Sequence, residues 1–129
     1  MNFRLKTSKS TAEKLKLLNA STGLTPNILA RYAVCLSLRD PQPITKLVKD
    51  MGGIEFNRNT LTGEYDFIFK ALIAQHESKN ITDEEFFPDL FNAHLERGIR
   101  ILASEYNYAG NSEKLILNLI HVTKEGHAQ

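Results

Sequence analysis

A chain of 129 residues with 42% hydrophobic and 24% charged side chains has the composition of one ordinary globular domain, residues 1–129, which excludes a fibrous repeat or a disordered polymer. No apolar run approaches the roughly 18 residues of a membrane span, the charged N-terminus has no signal-peptide core, and Cys35 is the only cysteine, so a cytoplasmic protein with no membrane attachment and no internal disulfide is expected. The net charge of +1 conceals an asymmetry: residues 1–49 hold nine basic and two acidic side chains, a net of +7, while residues 50–129 hold seven basic and thirteen acidic, a net of −6. Such a split suits a basic face for a polyanion on an acidic scaffold, or two halves that attract each other within or between subunits.

In chain order, Asn2 to Ser8 alternates Phe3, Leu5 and Thr7 with Arg4, Lys6 and Ser8, which predicts a strand with one apolar and one basic face. Ser10-Thr11-Ala12-Glu13 has the form of a capping box and predicts a helix to about Ser21, burying Leu15 and Leu18 and stopped by Gly23. Thr25-Pro26 starts a second helix, with an apolar stripe at Ile28, Leu29, Tyr32, Cys35 and Leu36, and Asp40-Pro41-Gln42-Pro43 ends it. Ile44, Leu47, Val48 and Met51 mark a short helix closed by Gly52-Gly53, followed by IEFNRNTLTGEY, a polar connection with room for a small hairpin. Tyr65 to Ser78 carries Phe69, Leu72, Ile73 and His76 at helical spacing. Thr82-Asp83-Glu84-Glu85 is a further capping box, and Pro88 predicts a break with a longer helix restarting there and running to about Tyr106. A last helix after Asn111-Ser112 would bury Ile116, Leu119 and Ile120. The expected fold is mainly α, a short N-terminal strand followed by a helical bundle. Residues 1–40 form a basic strand-helix-helix part in the order of ribbon-helix-helix modules, and residues 44–125 a helical, acidic part.

A lone strand leaves backbone groups unpaired on both edges, so pairing with the same strand of a second subunit is the economical solution and an oligomer is expected. Arg4 and Lys6 would then face a nucleic acid, Thr25 and Asn27 at a helix N-terminus would offer N–H groups to a phosphate, and Lys9, Lys14, Lys16 and Arg31 would extend the basic surface. A solvated strand edge that resists aggregation explains the same lysines equally well. Lys14 and Lys16, two residues apart on a helix, point to different sides. Signals for catalysis are poor. Cys35 on the apolar stripe reads as a small buried hydrophobe; His76 and His94 read as satisfied core or interface histidines outside any H-x-x-x-H pattern. His121 and His127 lack Cys partners, Gly52-Gly53 lacks the Lys and Ser/Thr of a phosphate loop, and Glu84, Glu85 and Asp89 suit a helix N-terminus. No metal, cofactor or catalytic group is expected.

FRLKTSKSTAEKLKLLNASTGLTPNILARYA near the start and GGIEFNRNTLTGEYD in the middle resemble the DndE family, the small component of bacterial DNA sulfur-modification (phosphorothioation) systems. The likeness spans nearly the whole chain, and the run from Gly53 to Glu64 is its more specific part. The resemblance implies a compact, mainly helical homotetramer that binds DNA, favouring nicked duplex, through surface lysines and without a cofactor. It also implies work beside a cysteine desulfurase, a sulfur-transfer subunit and an ATPase. On charge and position the DNA-contacting residues would be Arg4, Lys6, Lys9, Lys14 and Lys16, while Glu55, Asn57, Arg58 and Thr60 read as a hydrogen-bonded turn. The leading reading is a non-enzymatic DNA-binding subunit; the alternatives are a ribbon-helix-helix repressor and an enzyme carrying sulfur on Cys35.

Overall fold

Leu5 settles where the N-terminal strand goes. In the computed structural model, which describes residues 1–110 together with Lys114, Leu115 and Leu117, strand β1 (Arg4–Lys6) buries Leu5 and leaves Arg4 and Lys6 outside. It pairs antiparallel with β2 (Glu55–Asn57), with Leu5 opposite Phe56 and Lys6 opposite Glu55. The expectation of a strand awaiting a second subunit is therefore corrected: Phe56, buried between exposed Glu55 and Asn57, supplies a matching apolar position within the chain. The strand is shorter than Asn2 to Ser8 because Thr7 turns inward. Its N–H donates to the Ile54 carbonyl (2.9 Å), its hydroxyl accepts the Ile54 N–H (3.0 Å), and its carbonyl accepts the Gly53 N–H (2.8 Å). A Cβ on Gly53 would lie 2.2 Å from the Thr7 hydroxyl, so this glycine serves close backbone approach and not the end of a helix.

Helix α1 (Lys9–Thr22) starts two residues earlier than the Ser10 box suggested. The cap is Ser8, whose hydroxyl accepts the Thr11 N–H at 3.1 Å, while the Ser10 hydroxyl accepts from Lys14 Nζ. Leu15 and Leu18 are buried and Gly23 closes the helix at φ 76°, as expected. Helix α2 (Pro26–Arg39) is capped by Thr25, with Pro26 at its first position. Its buried face, Leu29, Ala30, Ala33, Val34, Leu36 and Ser37, is rotated from the expected stripe, leaving Ile28, Tyr32 and Cys35 exposed. Small Ala30 and Ala33 allow the last described helix to press close; bulk alone is a poor guide to such a face.

No helix forms over residues 44–51. The segment runs as irregular chain with Leu47 and Met51 49% and 58% exposed, and it is pinned at Asp50, whose carboxylate accepts the N–H groups of Lys9 (3.0 Å) and Gly52 (2.8 Å). Short α3 (Arg58–Leu61) and a tight turn at Gly63–Tyr65 lead into α4 (Asp66–Glu77), which buries Phe69 and Ile73 but leaves Leu72 exposed, and which ends at Ser78 with φ 58°. The Thr82 box forms reciprocally: the Glu85 carboxylate accepts the Thr82 N–H (3.0 Å) and the Thr82 hydroxyl accepts the Glu85 N–H (3.1 Å). Helical geometry then breaks at extended Phe87, the Phe87–Pro88 peptide is cis, and α5 (Phe91–Ala109) follows. The expected helix at Ile116, Leu119 and Ile120 lies outside the described residues. Among the described residues no helix is long and apolar enough to cross a membrane.

The core is mainly α. Helices α2 and α5 form its most extensive packing pair, and Phe86, Phe87 and Phe91 lie fully buried beside Phe69, each contributing about 2 kcal/mol by leaving water. Arg58 crosses this aromatic cluster. It is 3% exposed, forms paired hydrogen bonds to Asp66 (both 2.8 Å) and to Asp83 (3.1 and 2.7 Å), donates to the Asn2 carbonyl, and stacks over Phe86 and Phe87. These hydrogen bonds hold the Asp66 and Asp83 carboxyls below the usual carboxylate range. Arg58 thus ties β2 and α3 to α4 and to the turn before α5, the structural role that the IEFNRNT segment suggested.

Candidate nucleic-acid interface

Alternation in β1 puts Arg4 and Lys6 on the solvent side of the two-stranded ribbon, and Lys9 follows at the first position of α1. The 43–52 segment lies beside them. A recess of about 240 Å³ is lined by Arg4, Lys6, Val48, Met51, Glu55 and Asn92, among others. From Val48 the surface continues into a cleft of about 770 Å³ between that segment and α5, where Lys46, Lys49, Arg97 and Arg100 stand. Lys9 joins the same face through its N–H bond to Asp50 and its side chain beside Gly52. Asp50, Glu55, Asp89 and Glu96 interleave with these cations. Arg4 forms an ion pair with Glu55, and the N–H groups of Lys9 and Gly52 hold the Asp50 carboxyl below its ordinary range.

The structure gathers only part of the expected basic set. Lys16 is exposed seven residues after Lys9, two turns along the same side of α1. Lys14 stands roughly 140° around the helix from Lys9, half-buried, with its ammonium on Ser10. Thr25, Asn27 and Arg31 lie near the far end of the α1–α2 hairpin, about 20 Å from β1 by the length of α1. There the Thr25 hydroxyl already takes the Ile28 N–H (3.3 Å), and Arg31 donates to the Asn27 carbonyl (3.4 Å). The Asn27 side-chain oxygen is buried without a hydrogen-bond partner. That end is separate from the β1 face.

Lys46, Lys49 and Arg100 were not singled out by the sequence reading. Lys46 and Lys49 belong to the basic first stretch of the chain, but assigning them to a short amphipathic helix hid their position beside β1. Arg97 is spoken for: it donates to Ser37 Oγ (2.8 Å) and to the carbonyls of Ser37 (2.9 Å) and Gln42 (2.7 Å), fastening the end of α2. Cys35 is exposed and not the buried hydrophobe expected, although partial desolvation pushes its thiol above the ordinary value.

A family model described as DNA sulphur modification protein DndE matches residues 4–110. The chain belongs to the DndE family. Membership places it in DNA sulfur modification, and the solved structures agree with its fold. A crystal structure of DndE from Escherichia coli B7A, described as involved in DNA phosphorothioation modification, is 25% identical, covers 77% of this chain and 96% of its own, and superposes with a TM-score of 0.64. A glycine-to-lysine mutant of DndE, also described as involved in DNA phosphorothioation, is 23% identical, covers 78% of this chain and 97% of its own, and gives the same TM-score of 0.64. No curated protein matches the chain. The DndE match embraces both β strands and α1 to α5, so the ribbon, the 43–52 segment and α5, which together make the basic face, all fall inside it.

Proposed function

We propose that this DndE-family chain is a non-enzymatic, cytoplasmic DNA-binding subunit of the phosphorothioation machinery that grips the sugar-phosphate backbone and favours nicked duplex. The observation that carries this reading is the shared face of Arg4, Lys6 and Lys9 with Lys46, Lys49 and Arg100 along the 43–52 segment. Its cations are mostly lysines on exposed backbone, a pattern suited to neutralising phosphates without reading base edges. A nick is a structural feature of the backbone, which such contacts suit. The test is competition among nicked, intact and operator-like duplexes, comparing wild type with Lys6→Ala/Lys9→Ala/Lys16→Ala. Nicked duplex should compete best against wild type and lose that advantage with the variant; equal binding by the variant assigns the face wrongly. Strong preference for one palindromic duplex would instead favour a repressor.

Assembly into a homotetramer, alongside other subunits of the system, is part of the same proposal. Since β1 finds its partner within the chain, support comes from α4, where Phe67 is 79% exposed and Ile68 and Leu72 are also exposed, an apolar surface that suits a second copy. Light scattering should report a tetramer, and Phe67→Glu should shift it toward monomer while leaving the helical spectrum unchanged. A monomeric wild type overturns this part. A second reading, sulfur carriage on Cys35, gains from that residue's exposure; mass spectrometry after coexpression with a desulfurase, against Cys35→Ser, tests it through the presence or absence of a persulfide.

A further inference from the structure

Among the described residues, one trio of metal-ligating side chains converges away from the exposed basic ribbon: His76 and Glu77 in the last turn of α4, and His94 in the first turn of α5. One ligand atom of each can be chosen so that all lie within 4.8 Å of one another. Glu77 Oε1 is 3.3 Å from His76 Nδ1 and 3.7 Å from His94 Nε2. The side chains are withdrawn from water, at 7%, 10% and 0% exposure for His76, Glu77 and His94.

Hydrogen bonds on the far sides of the rings decide which nitrogens face the trio. His76 Nε2 is 2.7 Å from the Asp40 carbonyl, which can only accept, so a proton sits on Nε2, and Nδ1 is the nitrogen that faces Glu77, 3.3 Å from Oε1. His94 Nδ1 is 2.8 Å from the Ser37 hydroxyl, itself fixed by Arg97 Nε. His94 Nε2, by contrast, is fully buried and has no hydrogen-bond partner, against the expectation of a satisfied core histidine. A neutral imidazole carries one proton and one lone pair. If Nδ1–H donates to Ser37, that lone pair is on Nε2. Two imidazoles, each anchored at its outer nitrogen by a carbonyl or a hydroxyl, together with one carboxylate, are a donor set for divalent transition metals and a poor one for Ca²⁺ or Mg²⁺.

We propose that His76 Nδ1, Glu77 and His94 Nε2 bind one divalent transition-metal ion of the Zn²⁺ class, clipping the end of α4 to the start of α5. The ligands draw together to the roughly 2.0–2.2 Å bonds that nitrogen and carboxylate oxygen make to zinc, and water completes the coordination. Ile44 stands between the trio and the cleft: its N–H lies 3.5 Å from Glu77 Oε1, and it lines the cleft wall together with Arg97. The positive charge of Arg97 is offset by Asp40 at 3.8 Å, and Glu77 supplies the formal negative charge to the ion.

The test uses the full chain without a histidine tag, carrying His121→Ala and His127→Ala to remove the C-terminal imidazoles, stripped with chelator and titrated with Co²⁺ and then Zn²⁺. One equivalent of Co²⁺ should give the visible absorption of a low-coordinate site, Zn²⁺ should displace it, and Zn²⁺ should raise the melting temperature. Glu77→Gln, which is near-isosteric, and His76→Gln should each abolish the absorption with the circular dichroism unchanged, and Ser37→Ala, which frees the outer nitrogen of His94, should weaken Zn²⁺ binding by about 10-fold or more. These two ligand variants keep the test decisive even where His94→Gln, at a fully buried position, fails to fold. A folded protein with neither absorption nor thermal shift, or one whose Glu77→Gln and His76→Gln variants bind as wild type does, overturns the site.

Discussion

Gly98 of α5 faces the Ala33 carbonyl of α2 so closely that a Cβ at Gly98 would lie 1.7 Å from the Ala33 oxygen and 2.3 Å from its carbonyl carbon. The obstacle is backbone, so neither helix can yield by changing a rotamer. Gly98→Ala is expected to lower stability by about 3 kcal/mol, since overpacked cores must shift backbone, despite the better helix propensity of alanine. Urea unfolding followed by circular dichroism measures this, and Ala33→Gly in the same protein should not restore the loss because the clashing atoms remain.

Arg58 makes its strongest prediction through pH. Asp66 and Asp83 titrate lower in the folded chain than in the unfolded one, so the unfolded chain binds more protons as the solution is acidified. Their contribution is complete above the ordinary carboxylate value and is lost as pH falls from about 5 through the depressed folded values. Arg58→Ala should cost about 3 kcal/mol at pH 7 by leaving partly buried carboxylates unpaired. The diagnostic result is the difference between wild type and variant, which should shrink from pH 7 to pH 3 in denaturant titrations; a constant difference would assign the effect to packing on Phe86 and Phe87.

Salt dependence separates phosphate contact from a merely solvated edge. Each lysine on a phosphate contributes roughly 0.9 to the slope of log affinity against log salt on duplex DNA. Lys6→Ala, Lys9→Ala and Lys49→Ala should each reduce the slope by about that amount, whereas Lys14→Ala, turned around α1 and held by Ser10, should leave it unchanged. Fluorescence anisotropy across a range of salt concentrations provides the comparison.

Cys35 gives a check on the rotated face of α2. An exposed thiol should react with a small maleimide in the folded protein, and Cys35→Ser should change stability by no more than about 0.5 kcal/mol. The elevated thiol makes the reaction accelerate between neutral and mildly alkaline pH. Labelling only after denaturation would place Cys35 in the core and α2 in the other rotation.

What was legible in the sequence was local. Gly23, Thr25-Pro26 and the Thr82–Glu85 pair carry their geometry in adjacent residues, and each forms the cap its spelling suggests. The apolar spacing of α4 and the break at Pro88 were readable for the same reason. Misreadings arose where distant segments decide. The partner of β1 is a tripeptide far along the chain, with only Phe56 to announce it. The buried side of α2 is set by Gly98, a residue on another helix that lets two alanines outrank Tyr32 and Cys35. Residues 44–51 carry an amphipathic spelling, but Asp50 ties their end to Lys9 and Gly52. With that segment misplaced, Lys46 and Lys49 could not be joined to Arg4 and Lys6, and the site emerged as half its extent.

The ribbon also imposes an order on events in the growing polypeptide. Arg4 meets Glu55, 51 positions later, whereas α1 and α2, with the side chains that cap their starts, all lie within the first 39 residues. While the ribosome is still extending the chain, the first helices can nucleate but the positively charged leader has no strand to lie against, because short-range contacts close long before distant ones. The basic surface is therefore completed late, after the segment that flanks it has been made.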